Sequence, residues 1–412
     1  MIIQEKPPAQ DTKERPSPSP GPVLSRSTAL FPGLYIHIPF CERKCSYCDF
    51  NSGVYAPEVR ERYVRALLKD ILASPFAGTR AQSAFFGGGT PSVLPASSIQ
   101  RLMTALTGTF RLDADAEVTV ECNPGTIASE RMAGETTEAF LRHLKEAGVN
   151  RLSFGVQSLD AGLLKTLGRI HSPEQAIESV RLARDAGFAN INIDLMFALP
   201  GQTRAQWADT LAGALALEPE HISAYSLIVE PDTPFALWDG QGRLPKVSQD
   251  DEAEMYETAI GTLTAAGYEH FEVSAFARPG KRSVHNAIYW RNEDYLGFGV
   301  GAASYTDGER STREGRLESY VQLAETGKDT IVSRERLDRR GQMGETMMMG
   351  LRILDGVNRE AFASRFGADP CAEFAGEIAA LSRQGLLEVT PDAIRLTHRG
   401  LFLANEVWEA FV

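Results

Sequence analysis

Six short runs of β-forming residues, each followed by a stretch with helical spacing, leave this chain few architectures to choose from. The runs occupy residues 34–38, 83–86, 117–121, 151–155, 191–195 and 222–227. Between them, Tyr63, Ala66, Leu67 and Ile71, and then Ile99, Leu102, Met103 and Leu106, fall at the three-and-four spacing of one buried helix face, with Ser97 or Ser98 as N-cap of the second helix. Such alternation builds parallel strands joined by right-handed helical crossovers, as an open doubly wound sheet or as a closed or partial barrel. Periodicity alone does not choose among these.

A chain of 412 residues exceeds what one hydrophobic core usually supports, so a large domain plus a smaller one is expected. Residues 1–29, with six prolines and no apolar run, read as a disordered tail. The alternating pattern then assigns residues 30–300 to the α/β domain and 301–332 to a connector. Residues 333–412 read as helices, a short hairpin turning at Pro391-Asp392 and a final helix, the outline of a winged-helix-like module. A winged helix often binds DNA, but this segment holds ten Arg, no Lys and twelve Asp or Glu. With a net charge of -12 for the whole chain, the electrostatic footprint of a nucleic-acid partner is missing, and the module is expected to pack or act as a lid. No apolar run approaches the roughly 20 residues that span a bilayer, which points to the cytoplasm with any membrane contact peripheral.

Three of the five cysteines crowd directly after the first strand, at Cys41, Cys45 and Cys48. The C-x3-C-x2-C spacing lets one short loop wrap three thiolates around a metal centre. Iron-sulfur cubanes are normally held by four thiolates, so three leave one iron open to a small chelating molecule. A cofactor with amino and carboxylate groups, such as S-adenosylmethionine, could occupy it. The alternative is a structural zinc site, which needs a fourth Cys or His, and His37 is the nearest candidate. Cys122 and Cys371 stand alone and read as small buried residues.

Other polar residues gather near the ends of later strands. Gly87-Gly88-Gly89-Thr90-Pro91 follows the second run at once, letting the backbone approach a ligand closely. It lacks the lysine of a phosphate-binding loop. Glu121, Gln157, Arg169, Asp194 and Tyr225 lie at or just beyond successive strand ends, where parallel α/β folds bind ligands. Each also has a structural reading: Glu121 as cap of a turn, Arg169 as partner of a surface acid, Asp194 as partner of Arg169.

Taken in order, Tyr35-Ile36-His37-Ile38-Pro39-Phe40-Cys41, the cysteine triad, Gly87-Gly88-Gly89-Thr90-Pro91, Glu121-Cys122-Asn123-Pro124, Gly155-Val156-Gln157-Ser158 and Leu167-Gly168-Arg169 resemble the oxygen-independent coproporphyrinogen III oxidase family of radical S-adenosylmethionine proteins. The resemblance runs from about Leu34 to the C-terminus and implies a partial (β/α)6 barrel. It implies that Cys41, Cys45 and Cys48 hold a [4Fe-4S] cluster, and that Tyr35, Gly88 and Glu121 contact the S-adenosylmethionine on it. Gly89, Thr90, Gln157, Arg169 and Asp194 match contacts to a second S-adenosylmethionine in the oxidase, and Ile228 and Ala303 match further cofactor-lining positions.

Within that family the oxidase carries a fourth cysteine two residues after the third, where this chain has Phe50. The chain also carries His285-Asn286-Ala287-Ile288-Tyr289-Trp290, similar to the H-N-x-x-Y-W motif of the family's heme chaperone branch. That branch implies heme as ligand, with His285 on its iron, and transfer to recipient hemoproteins such as membrane-bound respiratory enzymes, with a homodimer as a further expectation. An imidazole nitrogen suits heme iron, and Tyr289 and Trp290 offer flat faces suited to a porphyrin. On the residues alone, the favoured reading is that the aromatic pair packs in the domain junction and the histidine is a satisfied surface or core residue. The enzyme alternative is oxidative decarboxylation of coproporphyrinogen III, against which Phe50 speaks.

Overall fold

The first strand, β1 (Gly33–Ile38), sends Leu34, Ile36 and Ile38 to one side and Tyr35 and His37 to the other, the two-residue period of extended chain. The apolar set joins Tyr63, Val64, Leu67 and Ile71 of the helix Pro57–Leu72 in the main core. That division of faces repeats along the sheet and fixes which side carries chemistry. The computed structural model describes residues 32–128 and 135–412, so the expected tail at 1–29 lies outside the described residues.

Five more strands follow in order: β2 (Arg80–Gly88), β3 (Arg111–Cys122), β4 (Arg151–Gln157), β5 (Ile191–Phe197) and β6 (His221–Ser226). All six expected runs lie within these strands except for Leu227, one residue past the last. They pair side by side and parallel from β1 to β6. Beyond β6 the sheet turns antiparallel through β7 (Glu269–Glu272) and β8 (Ala275–Ala277), with β8 against β6. On the other side β1 meets β9 (Tyr295–Phe298), again parallel. Neighbours on both edges of the parallel set mean that β6 does not return to β1, and the barrel is partial.

Residues 301–332, expected as a connector, are a correction: they hold β10 (Ala303–Thr306), β11 (Glu309–Arg313), the helix Leu317–Glu325 and the start of β12 (Ile331–Arg336). These strands extend the sheet antiparallel from β9, with Asp307 and Gly308 at positive φ in the tight turn between β10 and β11. The segment is too polar to show an apolar run, and its pairing comes from the backbone. A second apolar core runs from Met343 to Phe411, around the small sheet of β13 (Val357–Asn358), β14 (Leu387–Val389) and β15 (Ala393–Leu396). The hairpin β14–β15 is the one read around Pro391-Asp392, and it gives the C-terminal module its winged-helix-like outline.

Two smaller expectations also change. The helix Ala96–Thr109 is entered through Pro95, with Ser97 and Ser98 already inside its first turn and no side-chain cap. Cys122 is buried as expected, while Cys371 is only partly so. Among the described residues no helix is long and apolar enough to cross a membrane.

Candidate functional site

The cysteine loop begins where β1 ends and is closed at its base by Cys41 N–H on Gly53 O and Gly53 N–H on Pro39 O, both 2.9 Å. Lys44 Nζ donates to Phe50 O at 2.9 Å and Ser52 O at 3.2 Å, tying the loop's far side to itself. His37, buried beneath it, donates Nε2–H to Asn51 O at 2.8 Å, which leaves Nδ1 as acceptor of the Tyr35 hydroxyl at 3.0 Å. With both ring nitrogens engaged, and burial holding its pKa down to about 4, His37 is a strut under the loop and no fourth metal ligand. The loop also rests on later chain: Ser46 N–H donates to Leu167 O at 3.0 Å and Phe235 N–H to Ser46 O at 3.0 Å.

Cys41, Cys45 and Cys48 are free thiols, half-buried in this loop. Donors reach them from other strand ends. Thr90 Oγ1 lies 3.7 Å from Cys41 Sγ, and Arg169 Nη1 lies 3.6 Å from Cys45 Sγ. Burial pushes the Cys48 thiol up to about 11, partly offset by a backbone hydrogen bond at Phe50. Among the described residues no three His, Cys, Asp or Glu side chains converge on one ion-sized point.

Next to the loop, the glycines after β2 let the backbone close in. Gly88 has φ +110, and a Cβ there would stand 2.5 Å from the His37 ring; at Gly89 it would stand 2.7 Å from Phe40 O. Gly88 N–H donates to Glu121 Oε2 at 3.2 Å. Burial, and then the charge of Asp194, raise the Glu121 carboxyl to about 8, so it is largely protonated at neutral pH until a cation arrives. Asp194 itself accepts from Asn192 Nδ2 at 2.8 Å and Ser153 Oγ at 3.2 Å, not from Arg169. Gln157, at the end of β4, sits at φ 68, a left-handed conformation that costs a non-glycine residue about 1–3 kcal/mol. Strain of this kind tends to gather where a side chain must be aimed.

Arg169 reaches Gly155 O as well as Cys45, and its enclosed Nε has no hydrogen-bond partner. Among the described residues no ion pair joins it to a surface acid. Gly88, Glu121, Gln157 and Tyr225 thus stand in the last two residues of β2, β3, β4 and β6, Gly89 and Thr90 follow β2, Arg169 follows the helix after β4, and Tyr35 and Asp194 lie within β1 and β5. Ala303 opens β10 beside Ala302, which packs with Tyr35 and Phe85. Ile228 lies nearly half exposed on the chain beyond β6. Glycines that admit a ligand, thiols met by donors and an orphaned guanidinium nitrogen fit a cluster with a polar cofactor beside it.

His285 lies elsewhere than a porphyrin-facing residue should. It is 1% exposed on the helix Val284–Trp290, with Nδ1 2.9 Å from Ser83 Oγ and Nε2 2.9 Å from the Tyr289 hydroxyl. Its ring stacks on Phe85 at 5.0 Å, and burial, then the charge of Arg151, lower its pKa to about 3. The Glu117 carboxylate takes the N–H groups of Val284 and His285 at 3.1 and 3.0 Å. In this conformation His285 is a buried histidine with both ring nitrogens hydrogen-bonded within the protein. Trp290 faces the C-terminal module, with the Arg352 guanidinium 4.4 Å from its ring centre and 4.5 Å from that of Trp408.

Sequence reasoning missed Tyr47, Glu117, Arg151 and His221, and read His37 only as a candidate zinc ligand. The signal was present: with Tyr35 and Glu121 turned inward, a period of two also turns His37, Glu117 and Thr119 inward, and the same holds for Ser153, Asn192, Asp194, His221 and Ser223.

Residues 35–212 match the radical SAM superfamily, and residues 337–403 match the HemN C-terminal domain. The chain is 40% identical to heme chaperone HemW of Bacillus subtilis over 92% of its own length and 98% of that protein. It is 36% identical to heme chaperone HemW of Escherichia coli over 92% and 97% of the two chains. Mitochondrial radical S-adenosyl methionine domain-containing protein 1 of Bos taurus is 34% identical, with 98% and 91% covered. Among solved structures, coproporphyrinogen III oxidase (HemN) of Escherichia coli superposes with a TM-score of 0.79 at 27% identity, covering 94% of this chain and 91% of that one.

Proposed function

This chain belongs to the heme chaperone HemW family of the radical S-adenosylmethionine superfamily, and from that premise we propose that it binds heme and passes it to recipient hemoproteins. Cys41, Cys45 and Cys48 are the ligands proposed for a [4Fe-4S] cluster. Tyr35, Gly88 and Glu121 are proposed to hold S-adenosylmethionine on it, with Gly89, Thr90, Gln157, Arg169 and Asp194 around a second molecule and Ile228 and Ala303 completing the lining. When bound, cluster and cofactor together supply one-electron chemistry at the sulfonium. The protein's own part is to keep the loop fixed, accept the cofactor's ammonium on Glu121, and exclude bulk water with Tyr35 and Phe85.

The observation that carries the chaperone reading over the oxidase is Phe50. It stands where the oxidase has a fourth cysteine, and the residue is 45% exposed in the loop. For His285 to ligate heme iron, the helix Val284–Trp290 has to part from β2 so that Nε2 leaves Tyr289; heme binding by this residue is therefore proposed as an opening step. Anaerobic heme titration of the cluster-reconstituted protein, beside a coproporphyrinogen III turnover assay with reductant and S-adenosylmethionine, tests the proposal. Stoichiometric heme binding without product supports it; product formation without heme binding returns the chain to the oxidases.

A further inference from the structure

The three thiols of the cysteine loop do not meet equal partners. Cys41 faces a neutral hydroxyl, Thr90 Oγ1, at 3.7 Å, and Cys48 a backbone hydrogen bond at Phe50. Cys45 meets the Arg169 guanidinium directly, at 3.6 Å, with the Tyr47 phenol beside it, whereas the Lys44 ammonium acts on Cys48 only through its charge.

The backbone sets this contact. The helix Ala161–Leu167 ends in Gly168 at φ 73, which turns the chain so that Arg169 comes back toward the loop. A Cβ on Gly168 would stand 3.0 Å from Ser46 Oγ, so the turn is pressed against the residue after Cys45. Ser46 N–H on Leu167 O then locks helix end and loop together at 3.0 Å. Arg169 is further anchored by Gly155 O, and no carboxylate forms an ion pair with it among the described residues. An enclosed cation without an acid needs negative charge close by. Ligating thiolates provide it.

We infer that Arg169 is a positioning residue that sets the reduction potential of the cluster held by Cys41, Cys45 and Cys48, a role separate from any contact it makes with S-adenosylmethionine. Reduction adds one electron to the cluster, and a guanidinium on a ligating sulfur stabilises the more negative form. Hydrogen bonds to cluster sulfurs and local charge are known levers on such potentials. Arginine stays charged at any working pH, so this contribution does not titrate away. The inference rests on the reading of the triad as cluster ligands.

The test is an anaerobic redox titration with dithionite and mediators, followed by electron paramagnetic resonance, on reconstituted wild type, Arg169→Gln, Arg169→Lys and Tyr47→Phe. S-adenosylmethionine is left out, so that loss of a cofactor contact does not enter. Iron and acid-labile sulfide are measured on each. The Arg169→Gln midpoint is expected to fall by at least about 59 mV, a tenfold change in a one-electron equilibrium. Arg169→Lys stays nearer wild type, and Tyr47→Phe, losing a neutral donor, shifts less than Arg169→Gln. Loss of the cluster in Arg169→Gln with a full cluster at wild-type potential in Arg169→Lys also supports the charge. An unchanged midpoint in Arg169→Gln, or loss of the cluster in both arginine variants, overturns the inference. A wild type that takes up no cluster overturns the reading of the triad instead.

Discussion

The imidazole of His285 and the phenol of Tyr289 share a hydrogen bond of 2.9 Å one helical turn apart, with the two rings nearly perpendicular at 87°. Removing the hydroxyl in Tyr289→Phe frees Nε2 at a cost of about 1 kcal/mol in stability, the worth of one such bond. If His285 meets heme iron, this variant binds heme at least as tightly as wild type. His285→Ala loses two hydrogen bonds and the Phe85 stack, and is expected to cost about 2–4 kcal/mol and weaken heme binding. Urea unfolding and heme titration of both variants check this. Weaker binding in Tyr289→Phe alone would take the iron away from His285.

Gly88→Ala puts a methyl group 2.5 Å from the His37 ring on a backbone at φ +110. It should push His37 off Asn51, loosen the cysteine loop and lower reconstituted iron content, with a stability loss of about 1–3 kcal/mol. Gly108→Ala, in a helix with open space around the new methyl, should be neutral or stabilising by about 0.5–1 kcal/mol. Iron assay and thermal melting compare the two. Equal iron content in Gly88→Ala would remove the strut role from His37.

How much of this was readable beforehand depends on range. The six parallel strands rest on local patterning, and the runs at 34–38 and 191–195 fall inside β1 and β5. Whether they close is decided by what flanks β6 and β1, namely β8 and β9, and runs of only three and four residues are too short for a pattern to announce a strand or its partner. The cysteine triad was legible because its ligands sit within eight residues of each other. The setting of His285 was not: Ser83 lies 202 residues away and Glu117 lies 168, and only the folded chain shows that the helix carrying it packs on β2. Arg169 was read near the site, but its target, Cys45, lies 124 residues earlier and no spacing rule reaches it.

Acid and base should destabilise the ligand-free protein by different groups. His37 and His285, held near 4 and 3, stay neutral in the fold while the unfolded chain takes up protons below about 6.5. Their contribution is full above that pH and is lost as pH falls toward 4 and 3. Glu121, raised to about 8, works the other way: the unfolded carboxyl ionises above about 4.5 while the folded one stays protonated, so stability falls from there up to pH 8. Urea unfolding across pH 4–9 should show Glu121→Gln removing much of the decline on the alkaline side. An identical pH profile in that variant would place Glu121 in a more polar setting than its neighbours provide.

The buried Arg352–Glu272 pair, 3.2 Å apart with the guanidinium over the rings of Trp290 and Trp408, joins sheet and C-terminal module. Arg352→Met leaves Glu272 buried without its partner and should cost about 3–5 kcal/mol. Adding Glu272→Gln should recover a good part of that loss, which a double-mutant cycle by urea unfolding measures. Additive costs would mean the pair does not couple the two cores.

The central claim is direct heme delivery, and its most direct measurement is the rate at which heme leaves the loaded protein for an apo-hemoprotein, followed by absorbance as acceptor concentration is raised. A chaperone hands heme over within a transient complex, so the observed rate should climb with acceptor and then saturate. A rate that stays constant at every acceptor concentration would show heme simply dissociating into solution, and would contradict the account.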